Sequence, residues 1–254
     1  MKIADNQVII DPISNPKKIT ATKLSGILGI GTSASFNTPF QIWCDITRVY
    51  PKPFEENVYT IAGKTIEPKQ LQYFRDHYRV PNLVTPEERY GSQLKYTWDF
   101  FPERPIFGGK WDSITVEPDN QSIIRRVVEC KTAQEKKRTL WQDNIPEDYK
   151  IQACMYAYLL GVDGITYIVS FLKPEEYNDP SAYVVNEENT ILRQFFISRD
   201  FPDYEEKIIK KAEKWWNDHV LTGISPKYDP FNKNDAIIVT KLLENMAPNE
   251  IRLF

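Results

Sequence analysis

Cysteine, histidine and long apolar runs are all scarce in this chain of 254 residues. Its three cysteines, Cys44, Cys130 and Cys154, are too few and too scattered for a zinc or iron–sulfur centre. Odd in number and mostly in apolar contexts, they read as reduced thiols of a cytosolic protein. The two histidines, His77 and His219, have no partner at a spacing that suggests catalysis. No stretch approaches the roughly 18 consecutive apolar residues of a membrane helix, and no signal-peptide pattern opens the sequence. The expectation is a soluble, cytoplasmic protein with no membrane partner. An excess of positive charge is missing too, since 32 Lys and Arg face 35 Asp and Glu, a net charge of −3. Nucleic-acid binding would then have to rest on local patches and metal ions. Without an internal repeat or a linker, the length suits one domain.

What is present is a charged hairpin. "WDSITV" and "SIIRRVVEC" are rich in β-branched residues, and "EPDNQ" between them is turn chemistry. Side chains alternate along a strand, so Ile123, Arg125, Val127, Glu129 and Lys131 share one face, as do Asp112, Ile114 and Val116. A turn near Asp119 or Asn120 folds Asp112 back to within a few residues of Glu129, subject to a one-residue shift if a bulge intervenes. Opposed Cβ atoms lie roughly 5 Å apart. Two carboxylates that close repel unless a cation sits between them, and hard oxygen donors suit Mg²⁺ or Mn²⁺. Such an ion binds phosphate oxygen and activates water, and a lysine two residues after the glutamate can orient that water. The competing reading is an exposed hairpin edge with scattered charges.

Around the hairpin the elements read as α+β: a mixed central β-sheet flanked by helices. "NQVIID" suggests a short strand. "TATKLSGILGIG" and "TPFQIWCDITRVY" suggest helices, the second capped by Thr38 with Pro39 at its first position. "GKTIEPKQLQYFRDHY" suggests a third, interrupted or started near Pro68. "KTAQEKKRTLWQDN" reads as a basic, exposed connection. "IPEDYKIQACMYAYLLG" is a helix opened by Pro146 and closed by Gly161. "ITYIVSFL" and "RQFFISRD" read as strands, residues 203–222 as an amphipathic helix with a basic outer face, and the tail as a helix plus a terminal strand.

Together these motifs resemble the YqaJ and lambda-exonuclease group of phage-type recombination exonucleases, within the PD-(D/E)XK, or restriction-endonuclease-like, nucleases. "ITATKLSGILGI" and "TPFQIW" are similar to the group's N-terminal signature, "AGKTIE" to its Gly-x-x-x-Glu helix, and "GGKWDSI" to the strand bearing its aspartate. "VVECK" resembles its E-x-K strand and "YKIQACMYAYLL" its tyrosine and glutamine helix. The resemblance covers roughly residues 15–230. It implies one nuclease domain over 1–254, with a mostly helical part (1–100), a catalytic core (101–200) and a helical C-terminal part (201–254). It implies that Asp112, Glu129, the Cys130 carbonyl and Glu67 hold two Mg²⁺ or Mn²⁺ ions. Lys131 would position the attacking water and Gln152 would hold Lys131 or the water. Tyr149 and Tyr156 would support the helix or contact DNA, with Tyr156 read as core. The implied substrate is a double-stranded DNA end, degraded 5′→3′ in the bacterial host's cytoplasm. The implied partners are a single-strand annealing protein and, in a homotrimeric ring, two further copies of the chain.

The sequence departs from the group where relatives hold the 5′-phosphate. The usual serine is Thr22, and the arginine expected before it is missing. Lys17 or Lys18, with Thr22, Ser33 or Ser35, are the replacements on offer. Trp98, Trp111 and Trp141 are candidates to wedge or stack at a DNA end, whereas Trp215 and Trp216 read as packing. The basic stretches Arg125–Arg126 and Lys136–Arg138, and the helix face Lys207, Lys210, Lys211 and Lys214, are candidate phosphate contacts that more simply read as solvated surface. The rival readings are an endonuclease, RecB-type or CRISPR-associated nuclease of the same superfamily, and a non-catalytic DNA-end-binding scaffold.

Overall fold

Two short strands open the chain, β1 (Lys2–Ala4) and β2 (Gln7–Ile9), paired antiparallel. Their turn is Asp5–Asn6, both at positive φ, the geometry that lets two residues close a hairpin. The computed structural model describes residues 1–11, 13–31, 37–51 and 55–246, in two compact units.

The first unit comprises Met1–Pro53, Pro102–Gly108 and Asp203–Phe254. Within it β3 (Ile19–Thr20), paired in parallel with β5 (Phe107–Gly108), leads directly into α1 (Ala21–Leu28), which ends where Gly29 adopts the left-handed conformation. Thr38 caps α2 (Pro39–Ile46) by accepting the Gln41 N–H. Further along the chain, a helix with π-type turns runs over Glu205–Ile209, α8 (Lys210–Trp215) and Trp216–Val220. It buries Ile208, Ile209, Trp215, Trp216 and Val220. On its outer side Lys207, Lys210 and Lys214 pair with Asp203, Glu206 and Asp218 one turn away. The last helix, α9 (Lys233–Glu244), buries Ile238, Val239 and Leu242. The expected terminal strand lies outside the described residues.

The second unit, Phe54–Phe101 and Gly109–Pro202, holds the sheet. Its helix α3 (Val58–His77) is uninterrupted, which corrects the expected break at Pro68. A proline inside a helix forfeits one backbone bond. Here an Asn57–Thr60 capping box fixes the start, and Ala62, Ile66, Leu71 and Phe74 are buried along one side, so packing offsets the loss. The sheet has five strands in the order β4 (Leu83–Val84), β6 (Ser113–Glu117), β7 (Asn120–Gln134), β8 (Gly164–Leu172), β9 (Thr190–Phe196), and the short helices α4 (Pro86–Tyr90) and α7 (Ile197–Asp200) follow β4 and β9. The β7–β8 pair is parallel and the others antiparallel, a mixed sheet. The parallel pair requires a crossover, supplied by α6 (Glu147–Leu160), which Gly161 ends in the left-handed conformation. Val128 and Cys130 of β7 pack with Leu71 and Phe74 of α3, while Glu129, pointing the other way, meets Gln152 of α6. The sheet is therefore sandwiched between α3 and α6, as α/β/α layering requires. The stretch read as an exposed connection instead folds as a 3₁₀ turn (Glu135–Lys137) and α5 (Arg138–Asp143). Trp141 anchors it, at 1% exposure.

Candidate active site

The hairpin register decides the site. Ser113 pairs with Val128, so the preceding residue, Asp112, comes level with Glu129. The strands slip at Thr115–Glu117, away from Asp112 and Glu129. Asp112 Oδ2 accepts the Cys130 backbone N–H at 2.8 Å, which ties the end of one strand to the centre of the other. Glu129 is completely buried. Its Oε1 accepts from Lys131 Nζ at 2.5 Å and from Gln152 Nε2 at 2.9 Å, while its Oε2 has no hydrogen-bond partner. The Lys131 ammonium also lies 5.3 Å from the centre of the Tyr149 ring, which stacks on Trp141.

Electrostatics follow from that geometry. Burial, and then Asp112, push the Glu129 carboxyl up to about 7. Glu67, on the first half of α3, is pushed up to about 8 by burial, with Asp112 and Glu129 adding repulsion. Burial also raises Asp112, against the pull of Lys131 and the Cys130 N–H. Burial alone would lower the Lys131 ammonium, but Glu129 and Asp112 outweigh it and keep it charged. One ammonium thus faces three mutually repelling carboxyls. Burial and the same carboxylates keep the Cys130 thiol protonated.

Gln70 was missed in the sequence. Its Nε2 donates to the carbonyls of Lys131 (2.8 Å) and Ile168 (3.2 Å) and to Ser170 Oγ (3.0 Å). The available signal was a glutamine four residues after Ile66 and four before Phe74, on the apolar stripe of α3. It fastens α3 to the strand that carries Lys131.

Among the described residues no three His, Cys, Asp or Glu side chains converge on a point ready to hold an ion. The chemistry nevertheless fits one. The buried Glu129 Oε2 is orphaned, and the Glu67, Asp112 and Glu129 carboxyls are raised by burial first and, for Glu67 and Glu129, by neighbouring carboxylates, both of which a cation would offset. All donors are hard oxygens, as Mg²⁺ and Mn²⁺ prefer.

The sequence family described as the YqaJ-like viral recombinase domain matches residues 15–163. The chain belongs to that family. The Mycoplasma genitalium protein MG373 is 26% identical over 89% of this chain and 90% of its own length. The Bacillus subtilis protein YqaJ is 24% identical over 85% of this chain and 58% of its own length. Among solved structures, the alkaline exonuclease LHK-Exo of Laribacter hongkongensis in complex with dAMP superposes with a TM-score of 0.54 at 10% identity, over 90% of this chain and 95% of that one. A phage-related exonuclease of Haemophilus somnus gives 0.51 at 14% identity, over 81% and 96%. At such identity these likenesses concern the fold, and the fold is that of the phage-type exonucleases, with the expected restriction-endonuclease-like core.

The other residues singled out in this YqaJ-like chain divide sharply. In the first unit, Lys17 Nζ meets Asp45 Oδ1 at 2.7 Å and Lys23 Nζ meets Asp45 Oδ2 at 2.5 Å, a clamp that sequence reading did not anticipate. Burial alone would raise the Asp45 carboxyl, but its two lysine hydrogen bonds hold it below the usual range. Thr22 is exposed, its hydroxyl 3.2 Å from that of Thr20, and Lys18 is half-buried. Ser33 and Ser35 lie outside the described residues. Trp111 and Trp141 are 2% and 1% exposed, which removes both as stacking groups for DNA; Trp98, at 85%, stays available. Of the basic stretches, Arg125 pairs with Glu117, Arg126 lies over Phe196, and Arg138 holds Glu135 and covers Phe171. Tyr156 is core at 5% exposure, against Phe101. No helix among the described residues is long and apolar enough to cross a membrane.

Proposed function

We propose that this chain is a Mg²⁺- or Mn²⁺-dependent deoxyribonuclease that degrades double-stranded DNA from its ends, 5′→3′. It would leave a 3′ overhang for a single-strand annealing protein during phage-type recombination. The observation that carries the reading is the Glu129 carboxylate, held at Oε1 by Lys131 and Gln152 and unsatisfied at Oε2, with Asp112 tied to the next residue along the strand through the Cys130 N–H. Family membership and the exonuclease activity named for the structural neighbours support it. Asp112, Glu129, Glu67 and the Cys130 carbonyl would hold two ions, which when bound supply Lewis-acid polarisation of the phosphodiester and acidify water.

The protein's own part is positioning. Lys131 is a fixed, charged donor that orients a water toward the phosphorus or neutralises charge on the phosphate oxygens. Gln152 fixes the Glu129 carboxylate from α6, and the Cys130 N–H fixes Asp112. Water oxygen bonds to phosphorus as the P–O3′ bond breaks, and the departing 3′ oxygen ends as a hydroxyl. A homotrimeric ring, which would keep a protein of net charge −3 on its DNA, is part of the proposal. Leu221 and Phe231, 69% and 95% exposed, are apolar groups available to a neighbouring copy.

Incubation with linear, nicked and circular duplex, with and without Mg²⁺, tests the reading. Loss of linear DNA alone, from the 5′ ends and only with metal, is expected. Cutting of circular DNA would move the chain to the endonuclease branch. No hydrolysis with either Mg²⁺ or Mn²⁺ would leave a DNA-end-binding scaffold.

A further inference from the structure

Trp98 is unlike the other tryptophans. It is 85% exposed, whereas Trp43, Trp111, Trp141, Trp215 and Trp216 are at most 8% exposed. A lone exposed aromatic is ordinary and needs no explanation. This one is mounted on a rigid base and accompanied by positive charge. Lys110 Nζ lies 5.9 Å from the Trp98 ring centre and 5.6 Å from that of Phe100. Phe100 is itself clamped between Tyr90, at 4.6 Å, and Trp111, at 4.8 Å. The two chain segments are tied together where the Phe100 N–H donates to the Gly109 carbonyl, and the Asp99 carboxylate accepts from the N–H groups of Phe101 and Gly109. A second lysine, Lys95, covers the exposed Tyr96 ring at 4.8 Å. Lys110 stands two residues before Asp112, so this base is continuous with the strand end that enters the active site.

We infer that Trp98 and Lys110 form a platform for the DNA end, Trp98 stacking on a nucleobase while Lys110 meets an adjacent phosphate. This rests on the nuclease reading. A base offers a π-face whatever its identity, so the platform suits a nuclease without sequence preference, and the ammonium supplies a local patch that the chain's net charge does not. Trp98 buries too little surface to serve the fold, so its replacement leaves folding intact.

The test uses the Asp112→Asn chain, which retains the platform, and a 5′-phosphorylated hairpin duplex carrying a distal label. Label anisotropy reports binding, and tryptophan emission reports stacking. Binding should quench the solvent-exposed emission component, and Trp98→Phe in the same background should remove that component while the labelled duplex still binds. In the otherwise wild-type chain, Trp98→Ala should raise KM roughly five- to tenfold with kcat preserved, the scale of one lost base stack. Trp98→Phe should stay within about twofold of wild type, because its ring still stacks. Binding without quenching, or an unchanged KM in Trp98→Ala, overturns the platform and leaves the nuclease reading standing. Failure of the labelled duplex to bind, with no hydrolysis by the wild-type chain, overturns both.

Discussion

Lys131 Nζ lies 2.5 Å from Glu129 Oε1, two residues back on the same face of one strand. The ammonium offsets part of what burial and Asp112 cost the Glu129 carboxylate, and the pair still leaves Glu129 Oε2 unsatisfied. An internal ion pair serving only stability would be expected to satisfy both oxygens, since each unpaired buried charge is costly. The imbalance is the feature that supports the proposed binding of a cation beside Glu129. It also separates the roles of the neighbours: Gln152 shares the occupied oxygen, so it steadies the carboxylate without competing for the free one.

The first prediction follows from that imbalance. Asp112→Asn, Glu129→Gln and Lys131→Ala should each lower cleavage at least about a hundredfold, the scale of losing one preorganised charge at a reacting phosphate. Secondary structure should stay intact, since Asp112→Asn keeps an oxygen to accept the Cys130 N–H and the other two changes leave the β7 backbone pairing alone. Circular dichroism beside a nuclease assay checks both halves. A well-folded Glu129→Gln chain with near-normal turnover would refute the assignment.

The second concerns pH. Folding raises the Glu67 and Glu129 carboxyls from the usual 4.5 to about 8 and about 7. Between those values the folded chain holds protons that the unfolded chain has lost, so stability falls as pH rises through the window. In EDTA the melting temperature should be lower near pH 8.5 than near pH 6. Mg²⁺ should restore it at the higher pH by binding the ionised carboxylates. Glu67→Gln should stabilise the metal-free chain at about pH 8.5 while impairing cleavage. A melting temperature independent of both pH and Mg²⁺ would contradict the site.

Legibility in the sequence tracked the range of each interaction. The hairpin and α6 were readable because strand alternation, turn residues, Pro146 and Gly161 are local signals. The Asp112–Glu129 pairing followed from one turn and one period. Pro68 misled because a local breaker yielded to the packing of Ile66, Leu71 and Phe74. Trp111 and Trp141 were misjudged because residue type does not report burial, and only Trp98 proved exposed. Gln70 reaching Lys131 and Lys23 reaching Asp45 join positions 61 and 22 residues apart, and no short pattern announces such partners.

A third prediction uses Gly109. Its φ of +141° is rare for a residue with a side chain, and an added Cβ would stand 3.1 Å from Tyr156 Cε1 and Oη. Gly109→Ala should destabilise the chain by about 1–3 kcal/mol. It should also weaken cleavage, because the strained backbone lies three residues before Asp112. The double change with Tyr156→Phe removes the Oη contact and leaves the backbone conformation, so it should recover only part of the loss. Full recovery in thermal melts would mean that the contact, and not φ, sets the requirement for glycine.

The last prediction concerns the 5′-phosphate. Lys17 and Lys23 share Asp45, with their side chains 37% and 22% exposed. The two ammoniums against one carboxylate leave a net positive charge beside Thr20 and Thr22, and a terminal phosphate would compete with Asp45 for it. Linear duplex with a 5′-phosphate should therefore be degraded faster than 5′-hydroxyl duplex. Lys17→Ala with Lys18→Ala should shrink that difference, and adding Lys23→Ala should abolish it. Asp45→Asn separates a binding role from a purely structural one. If the clamp only holds α2, Asp45→Asn costs about 1–2 kcal/mol in melting experiments and leaves the end preference unchanged. If the lysines receive phosphate, releasing them increases the preference for phosphorylated ends even as stability falls. Equal rates on both ends in the wild-type chain would show that replacing the family's serine and arginine abolished end recognition at this position.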